Sequence, residues 1–200
     1  MRQESVGVTE ALLASAKKEF LEHGFHDASL RRISADSGVS TNSIYTRFGD
    51  KAGLFKAVVS PVAEELMTYY LECVESAEES AEAIIAMQTG DQGTDQVLSY
   101  IYEHFDIFYL IFCCSFGTEY EEYFDRLAKI EESYYRKFAD KYAKHPEQIG
   151  DFFIHVVCRT GWQYIYEVVS HKIPYEEAKR FMANIKQFNF AGWRAVFDGK

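Results

Sequence analysis

Between residues 29 and 51 the chain gathers side chains able to donate hydrogen bonds to an anion: Ser29, Arg31, Ser40, Thr41, Asn42, Ser43, Tyr45, Thr46 and Lys51. Phosphate oxygens are bound by hydroxyls, amides, helix N-termini and cations, and base edges are read by side chains on the first turns of a short helix lying in a major groove. The spacing suits that chemistry. Within "SGVSTNSIYTRFGDK", Ile44 and Phe48 lie four apart and dock inward, which turns Thr41, Asn42, Tyr45 and Thr46 outward. Ser29, Ser40, Ser43 and Tyr45 supply donors. Ser40 is placed to cap this helix, and Gly49 stops it. Asp50 caps the next helix, where the Lys51 ammonium and free amides can share a phosphate.

Three helices must hold these groups. Leu12, Leu13, Ala16, Phe20 and Leu21 recur at three- and four-residue spacing, which predicts a first helix running from a Thr9 cap to Gly24, with Phe25 packing back on its last turn. A second, short helix over about 30 to 37, capped by Ser29, buries Leu30 and Ile33 and shows Arg31 and Arg32. Gly38-Val39 is the turn into the third. Two short helices joined by a tight glycine turn form a helix-turn-helix, whose second helix enters the major groove.

The whole-chain balance of charge argues against nucleic acid, with a net charge of −10. Its distribution reverses the argument. Residues 1 to 56 carry eight Lys/Arg against seven Asp/Glu, and the remainder 13 against 24. A near-neutral head can approach DNA where the acidic body cannot.

At 200 residues, 48% hydrophobic, the chain can bury a core of one or two domains. Three prolines and no sustained alternating run predict an all-α class. Cys73, Cys113, Cys114 and Cys158 have no C-x-x-C or finger spacing, which fits a reducing compartment. The N-terminus lacks a signal-peptide pattern, and the longest apolar run, residues 107 to 114, is far short of the roughly 20 residues that span a bilayer. A soluble, cytoplasmic protein with no membrane partner is expected. Neither a metal nor another cofactor is expected: "ESAEES", residues 75 to 80, has no histidine or spaced ligand set and reads as a solvated helix end. With no H-E-x-x-H, phosphate loop or nucleophile elbow, an enzyme is not expected.

The stretch "AKKEFLEHGFHDASLRRISADSGVSTNSIYTRFGDKAGLF" resembles the DNA-binding domain of TetR-family transcriptional regulators, through its elements F-x-x-x-G-F, S-L-R-R-I-S, S-G-V-S, I-Y-x-x-F and K-x-x-L-F. The resemblance covers about a quarter of the chain, from Thr9 to about Val59. It implies that Ser29, Ser43, Tyr45 and Lys51 contact the DNA backbone and that Arg31, Thr41, Asn42 and Thr46 read bases. Many relatives carry Lys-Gly after the serine cap and Tyr-His or Tyr-Tyr before the phenylalanine. Thr41-Asn42 and Thr46-Arg47 stand here instead, so no operator sequence carries over. Ser34 and Ser37 likewise replace the usual alanines.

Beyond Lys51, a long fourth helix is predicted through Cys73 and Val74, bent or broken at Pro61; the resemblance makes it the lever between body and head. "QTGDQGTD", residues 88 to 95, reads as a loop. The ring-rich run over 97 to 124 has two readings, solid core or the wall of a ligand cavity, with Phe105, Tyr109, Phe112, Tyr120 and Phe124 as candidates. The resemblance favours a cavity. An eighth helix, about 147 to 170, has one stripe of His155, Arg159, Trp162 and Tyr166 that can face inward. There Arg159 meets either a ligand carboxylate or a helix-borne glutamate. Its other stripe, Phe153, Val157, Gly161, Tyr164 and Val168, can pack on a second copy, with Gly161 permitting close approach. Together with Phe181, Ile185 and Phe188 of a final helix, it forms half of a four-helix dimer interface.

The expectation is therefore an all-α chain of about nine helices. Residues 1–52 form a three-helix DNA-binding domain with its motif at about 29–48, and residues 53–200 a helical ligand-binding and dimerisation domain. The function expected is that of a homodimeric repressor released from operator DNA by an unidentified small-molecule inducer. The alternative is a helical small-molecule sensor whose DNA head has lost specific readout.

Overall fold

A computed structural model describes residues 6–78 and 83–199. Among them are nine α-helices and no strand: α1 Val6–Asp27, α2 Leu30–Ser37, α3 Thr41–Phe48, α4 Lys51–Glu78, α5 Ala83–Glu103, α6 Phe105–Cys113, α7 Tyr123–Tyr142, α8 Asp151–Ser170 and α9 Tyr175–Asp198, with a 3-10 turn at Pro146–Gln148. None of these helices is long and apolar enough to cross a membrane.

The described residues fall into two compact units, one running to Glu64 and including His104–Tyr123, the other Glu65–Glu103 and the residues from Phe124 onward. A boundary after residue 52 thus falls inside the first unit, to which α6 also belongs. That unit's core is drawn from all four early helices: Leu12, Ala16 and Phe20, Ile33, Ile44, then Leu54, Phe55 and Val59 are fully buried. Phe20 and Phe55 meet edge to face at 5.0 Å, and Tyr120 closes on Phe55 at 6.1 Å. The Phe25 N–H donates to the Cys114 carbonyl at 2.9 Å, binding the end of α1 to the end of α6.

Helix α1 starts ahead of the expected cap. Thr9 lies inside it, and its hydroxyl accepts a 2.6 Å hydrogen bond from Arg47 of α3. Gly24, at φ 68°, makes the expected break, which a residue with a Cβ adopts only under strain. Ser29 occupies the N-cap of α2, but its side chain makes no cap bond. Its backbone N–H donates instead to Glu19 at 2.8 Å, and Arg32 Nε donates to the same carboxylate oxygen at 2.8 Å. Glu19 is only 7% exposed. Burial pushes its carboxyl up, but the Arg32 and Ser29 bonds outweigh that and hold it below its ordinary value. A lowered carboxyl stabilises above its unfolded pKa, and the gain disappears as pH falls through the folded value. Glu19→Gln should therefore lower stability by about 2 kcal/mol at neutral pH and by progressively less in acid, read from urea midpoints of both chains across the acid range.

Two local signals yield to packing. Pro61 neither ends nor interrupts α4, because Leu54, Phe55, Val59, Ala63 and Leu66 bury one face of the helix on either side of it, while Pro61 itself is exposed. Residues 88–95 are helical, within α5, and correct the expected loop. Gly93 lies against α4, where an added Cβ would stand 3.6 Å from Cys73 Cβ. Packing between α4 and α5 overrides the modest helix penalty of glycine. "ESAEES" belongs to α4 as far as Glu78, and its last two residues lie outside the described ones.

In the second unit, Phe138, Ile154, Cys158, Trp193 and Phe197 form a core shared by α7, α8 and α9, and Tyr102 donates to the Ile173 carbonyl at 2.7 Å. Helix α8 begins at Asp151, four residues later than expected, because Ile149 and Gly150 are extended (ψ 92° and 149°).

Candidate functional site

The α2–turn–α3 unit has the expected local chemistry. Gly38 takes the left-handed conformation, φ 70° and ψ 8°. Ser40 Oγ accepts from the Ser43 N–H at 3.1 Å and lies 2.9 Å from Ser43 Oγ. Ile44 is fully buried and Phe48 half-buried, so α3 is anchored on one side; Asn42, Tyr45 and Thr46 are exposed on the other, and Thr41 and Ser43 are half-buried. Tyr45 is 53% exposed. The Thr46 hydroxyl donates back to the Asn42 carbonyl at 2.8 Å, which fixes its rotamer.

The four cations of this region divide by role. Arg32 is bound to Glu19 and to the Asp27 carbonyl, and Arg47 to Thr9; both hold helices together. Arg31 is exposed. Lys51 donates to the carbonyls of His26 at 2.8 Å and Ala28 at 3.2 Å and lies 4.7 Å from the centre of the Phe25 ring. It thus closes the α1–α2 junction in addition to standing at the start of α4. Asp50 Oδ1 accepts from the Gly53 N–H at 2.8 Å, the expected cap. The sequence reading missed Glu19, the Arg47–Thr9 bond and the need for Gly53, where an added Cβ would overlap the Phe48 carbonyl oxygen. A glycine in the first turn of a helix was the one available signal.

In the second unit a cavity of about 170 Å³ opens among α4, α5, α7, α8 and α9. Trp162 is the one member of the expected pocket set on its wall. Phe105, Tyr109, Phe112 and Tyr120 belong to the first unit, where α6 buries Phe108 and Leu110 and the loop after it buries Tyr120. Phe124 packs behind Trp162 at 6.2 Å. His155 pairs with Glu132 at 2.8 Å, and Arg159 with Asp125 of α7, an aspartate where a ligand carboxylate or a glutamate was expected; Tyr166 is half-buried off the wall. The wall instead uses Tyr70, Tyr134, Tyr135, Trp193 and the carboxyl of Glu131. Glu131 keeps accessible surface because it borders the cavity. Burial pushes its carboxyl up to about 8, with Glu132 adding to the rise; the Trp162 indole tempers it without reaching hydrogen-bond geometry.

Part of the expected dimer stripe is also spent internally. Val168 is 3% exposed. Gly161 lies under Glu131, its missing Cβ 3.7 Å from that carboxylate, so it serves α7 of the same chain. Gly161, Tyr164 and Ile185 line the cavity. Val157 packs against the core of α7, α8 and α9. What stays exposed is Phe152, Phe153 and Val156 of α8 with Phe181, Phe188 and Phe190 of α9.

Residues 12–58 match the family model of bacterial regulatory proteins of the tetR family. The transcriptional repressor AcnR of Corynebacterium glutamicum is 39% identical over 49 residues, 24% of this chain and 26% of its own. BepR of Brucella suis is 33% identical over 58 residues, 29% and 28% respectively. The chain thus spans about a quarter of the length of these curated relatives. A TetR-like regulator from Rhodococcus sp. RHA1 superposes with a TM-score of 0.61 at 15% identity, over 96% of this chain and all of that one. One from Aquifex aeolicus does so at 0.59 and 14%, over 90% and 99%, so the fold is shared well beyond the head. The sequence pattern matched by the family falls on the helices that hold α3 outward, so residues 12–58 carry the sequence of a tetR-type regulatory-protein domain on a fold shared with TetR-like regulators.

Proposed function

We propose that this protein is a homodimeric DNA-binding transcriptional regulator acting in the cytoplasm, a repressor released from its operator when a small molecule enters the α4–α9 cavity. The observation that carries the reading is α3: a Ser40-capped helix, seated on Ile44, that exposes Asn42, Tyr45 and Thr46 together, with Arg31 exposed on α2. In this reading Ser29, Ser40, Ser43, Tyr45 and Lys51 bind phosphates, two of the Lys51 ammonium's three donors being taken by carbonyls. Arg31, Thr41, Asn42 and Thr46 read bases. A gel-shift titration on DNA flanking the protein's own gene tests it: specific retardation supports the regulator. Salt-sensitive binding without sequence preference overturns it in favour of a sensor with a silent head.

One short recognition helix reads few bases, so two heads about 34–36 Å apart are needed on successive major grooves. The rings left uncovered on α8 and α9 supply the surface for pairing. Phe188 is 70% exposed and Phe152 79%, a concentration of apolar surface that calls for a partner. Phe188→Asp is expected to leave helix content unchanged, convert the dimer to monomer in light scattering, and weaken operator binding more than a hundredfold, since each monomer then binds alone. Helix α4 contributes residues to both units and is the element through which a bound inducer would act. Such coupling requires that the inducer bind the released state more tightly than the DNA-bound one.

A further inference from the structure

The α4–α9 cavity contains an acid without a counter-charge. Its lining cation, Lys186, is matched by Asp95 at 2.6 Å. Among the described residues no Lys, Arg or His pairs with Glu131, and residues 77–92 contain none of these types. Gly161 leaves the carboxylate uncovered from α8, with no side chain above it. The Trp162 indole N–H is closed off from the cavity and turned to the Glu131 and Tyr70 oxygens, short of hydrogen-bond geometry, so it supplies no counter-charge.

Aromatic rings line the cavity beside Glu131. Tyr70 meets Trp162 edge to face at 5.2 Å, and Tyr135 stacks on Trp193 at 4.6 Å. Ring faces attract a cation, most strongly where water is excluded. An anionic guest would stand against Glu131 as soon as that group ionised, and a hydrocarbon would leave the carboxyl unpaired, at the cost of a buried polar group without a partner. A small organic cation answers the acid and the rings at once. The volume, about 170 Å³, is of the order that holds a benzene-sized guest.

We propose that the α4–α9 cavity binds a small alkyl- or arylammonium ion, with Glu131 as its counter-ion and the surrounding rings as its cage. This names the ligand class of the regulator reading above and rests on it. The groups that act on Glu131 are the Tyr70 hydroxyl from α4, Glu132 from its own helix, and the Trp162 indole and Cys158 from α8, with Cys73, Tyr135 and Lys186 elsewhere on the cavity wall. Burial holds Tyr70 and Cys158 in their neutral forms, Glu132 is paired with His155, and Lys186 with Asp95. The titration of Glu131 therefore governs affinity. A permanent cation needs the carboxylate, so its binding tightens as pH rises toward about 8 and then levels off. A neutral guest held by the protonated acid would follow the opposite course.

Both tryptophans of the chain line this cavity, so their fluorescence reports occupancy directly. Choline is titrated against its uncharged carbon isostere, 3,3-dimethylbutan-1-ol, in the full-length chain and in Glu131→Gln. The expected result is saturable choline binding about tenfold tighter than that of the alcohol, rising with pH, with both the preference and the pH dependence lost in Glu131→Gln while the alcohol still binds. Gln cannot ionise, so the variant escapes the stability that native Glu131 loses as pH climbs from the unfolded carboxyl's pKa to about 8, and circular dichroism confirms its fold. Equal binding of the two probes, a preference that survives Glu131→Gln, or no saturable choline signal overturns the assignment. If operator DNA is retarded while the alcohol is preferred, the cation class fails and the regulator stands. If choline binds through Glu131 while no DNA is retarded, the regulator reading fails and the site stands.

Discussion

Gly53→Ala is expected to destabilise the head by about 3 kcal/mol, enough to remove much of a small domain's stability. The α3–α4 corner is tight: Gly49 turns at φ 80° and donates to the Tyr45 carbonyl, and Asp50 then caps α4 through the Gly53 N–H. That geometry carries the α-carbon of Gly53 against the backbone of Phe48. An added Cβ would overlap the Phe48 carbonyl oxygen and stand 3.0 Å from its carbonyl carbon. Since both atoms are backbone, no rotamer change relieves the clash. Either the Asp50 cap opens or α3 shifts, and a shift displaces Ile44 from the core. Thermal unfolding followed by circular dichroism measures the loss, and operator binding should fall with it. Gly93→Ala is the matched control, because its Cβ would meet only Cys73 at ordinary contact distance and helix propensity favours alanine. Equal stability of Gly53→Ala and the parent would mean that the corner has a different path.

Tyr45→Ala should have the opposite profile, with a folded chain that binds its operator roughly 30- to 150-fold more weakly. The ring is more than half exposed and anchors nothing in the core, so truncation costs the head little. In the complex its hydroxyl is proposed to meet a phosphate at a water-exposed edge, where a hydrogen bond is worth about 1–1.5 kcal/mol net, the upper part of the ordinary range. The dimer makes it twice, for about 2–3 kcal/mol in all. Filter binding at fixed salt, together with an unchanged melting temperature, checks both halves; unaltered affinity removes Tyr45 from the interface. Lys51→Ala is a poorer probe of the same surface, since the ammonium also holds the His26 and Ala28 carbonyls and affinity would fall together with stability.

Much of the head was legible because its signals are local. Gly24, Gly38 and Gly49 all take positive φ, Ser40 and Asp50 cap as their types suggest, and Ile33 and Ile44 face inward. Thr9 was misread for an instructive reason: cap chemistry makes a threonine before an apolar run look like a start, yet the same hydroxyl serves equally as an acceptor for Arg47, which lies 38 positions away. Glu19 was passed over because an acid in a charged helix reads as solvated until α2 is folded across it.

The body was harder to read because its helices share ambiguous stripes. A ring at helical spacing states that a face is apolar and leaves open which neighbour covers it. Phe105, Tyr109 and Phe112 have the composition of a cavity wall, but α6 joins the first unit. Glu131 lies in "KIEESYY", where it looks like one more surface charge. Gly161 looked suited to a second copy and proved to serve Glu131.

The sequence by itself determined the helical class, the capped turn between α2 and α3, and the outward set on α3, since each depends on backbone preferences and periodicities spanning a few residues. Only the tertiary structure decided that Arg32, Arg47 and Lys51 hold helices together, that α6 belongs with the head, and that Glu131 faces a cavity instead of water. Those outcomes depend on which surfaces meet across tens of residues, and charge, burial and pKa acquire their values only once the neighbours are in place.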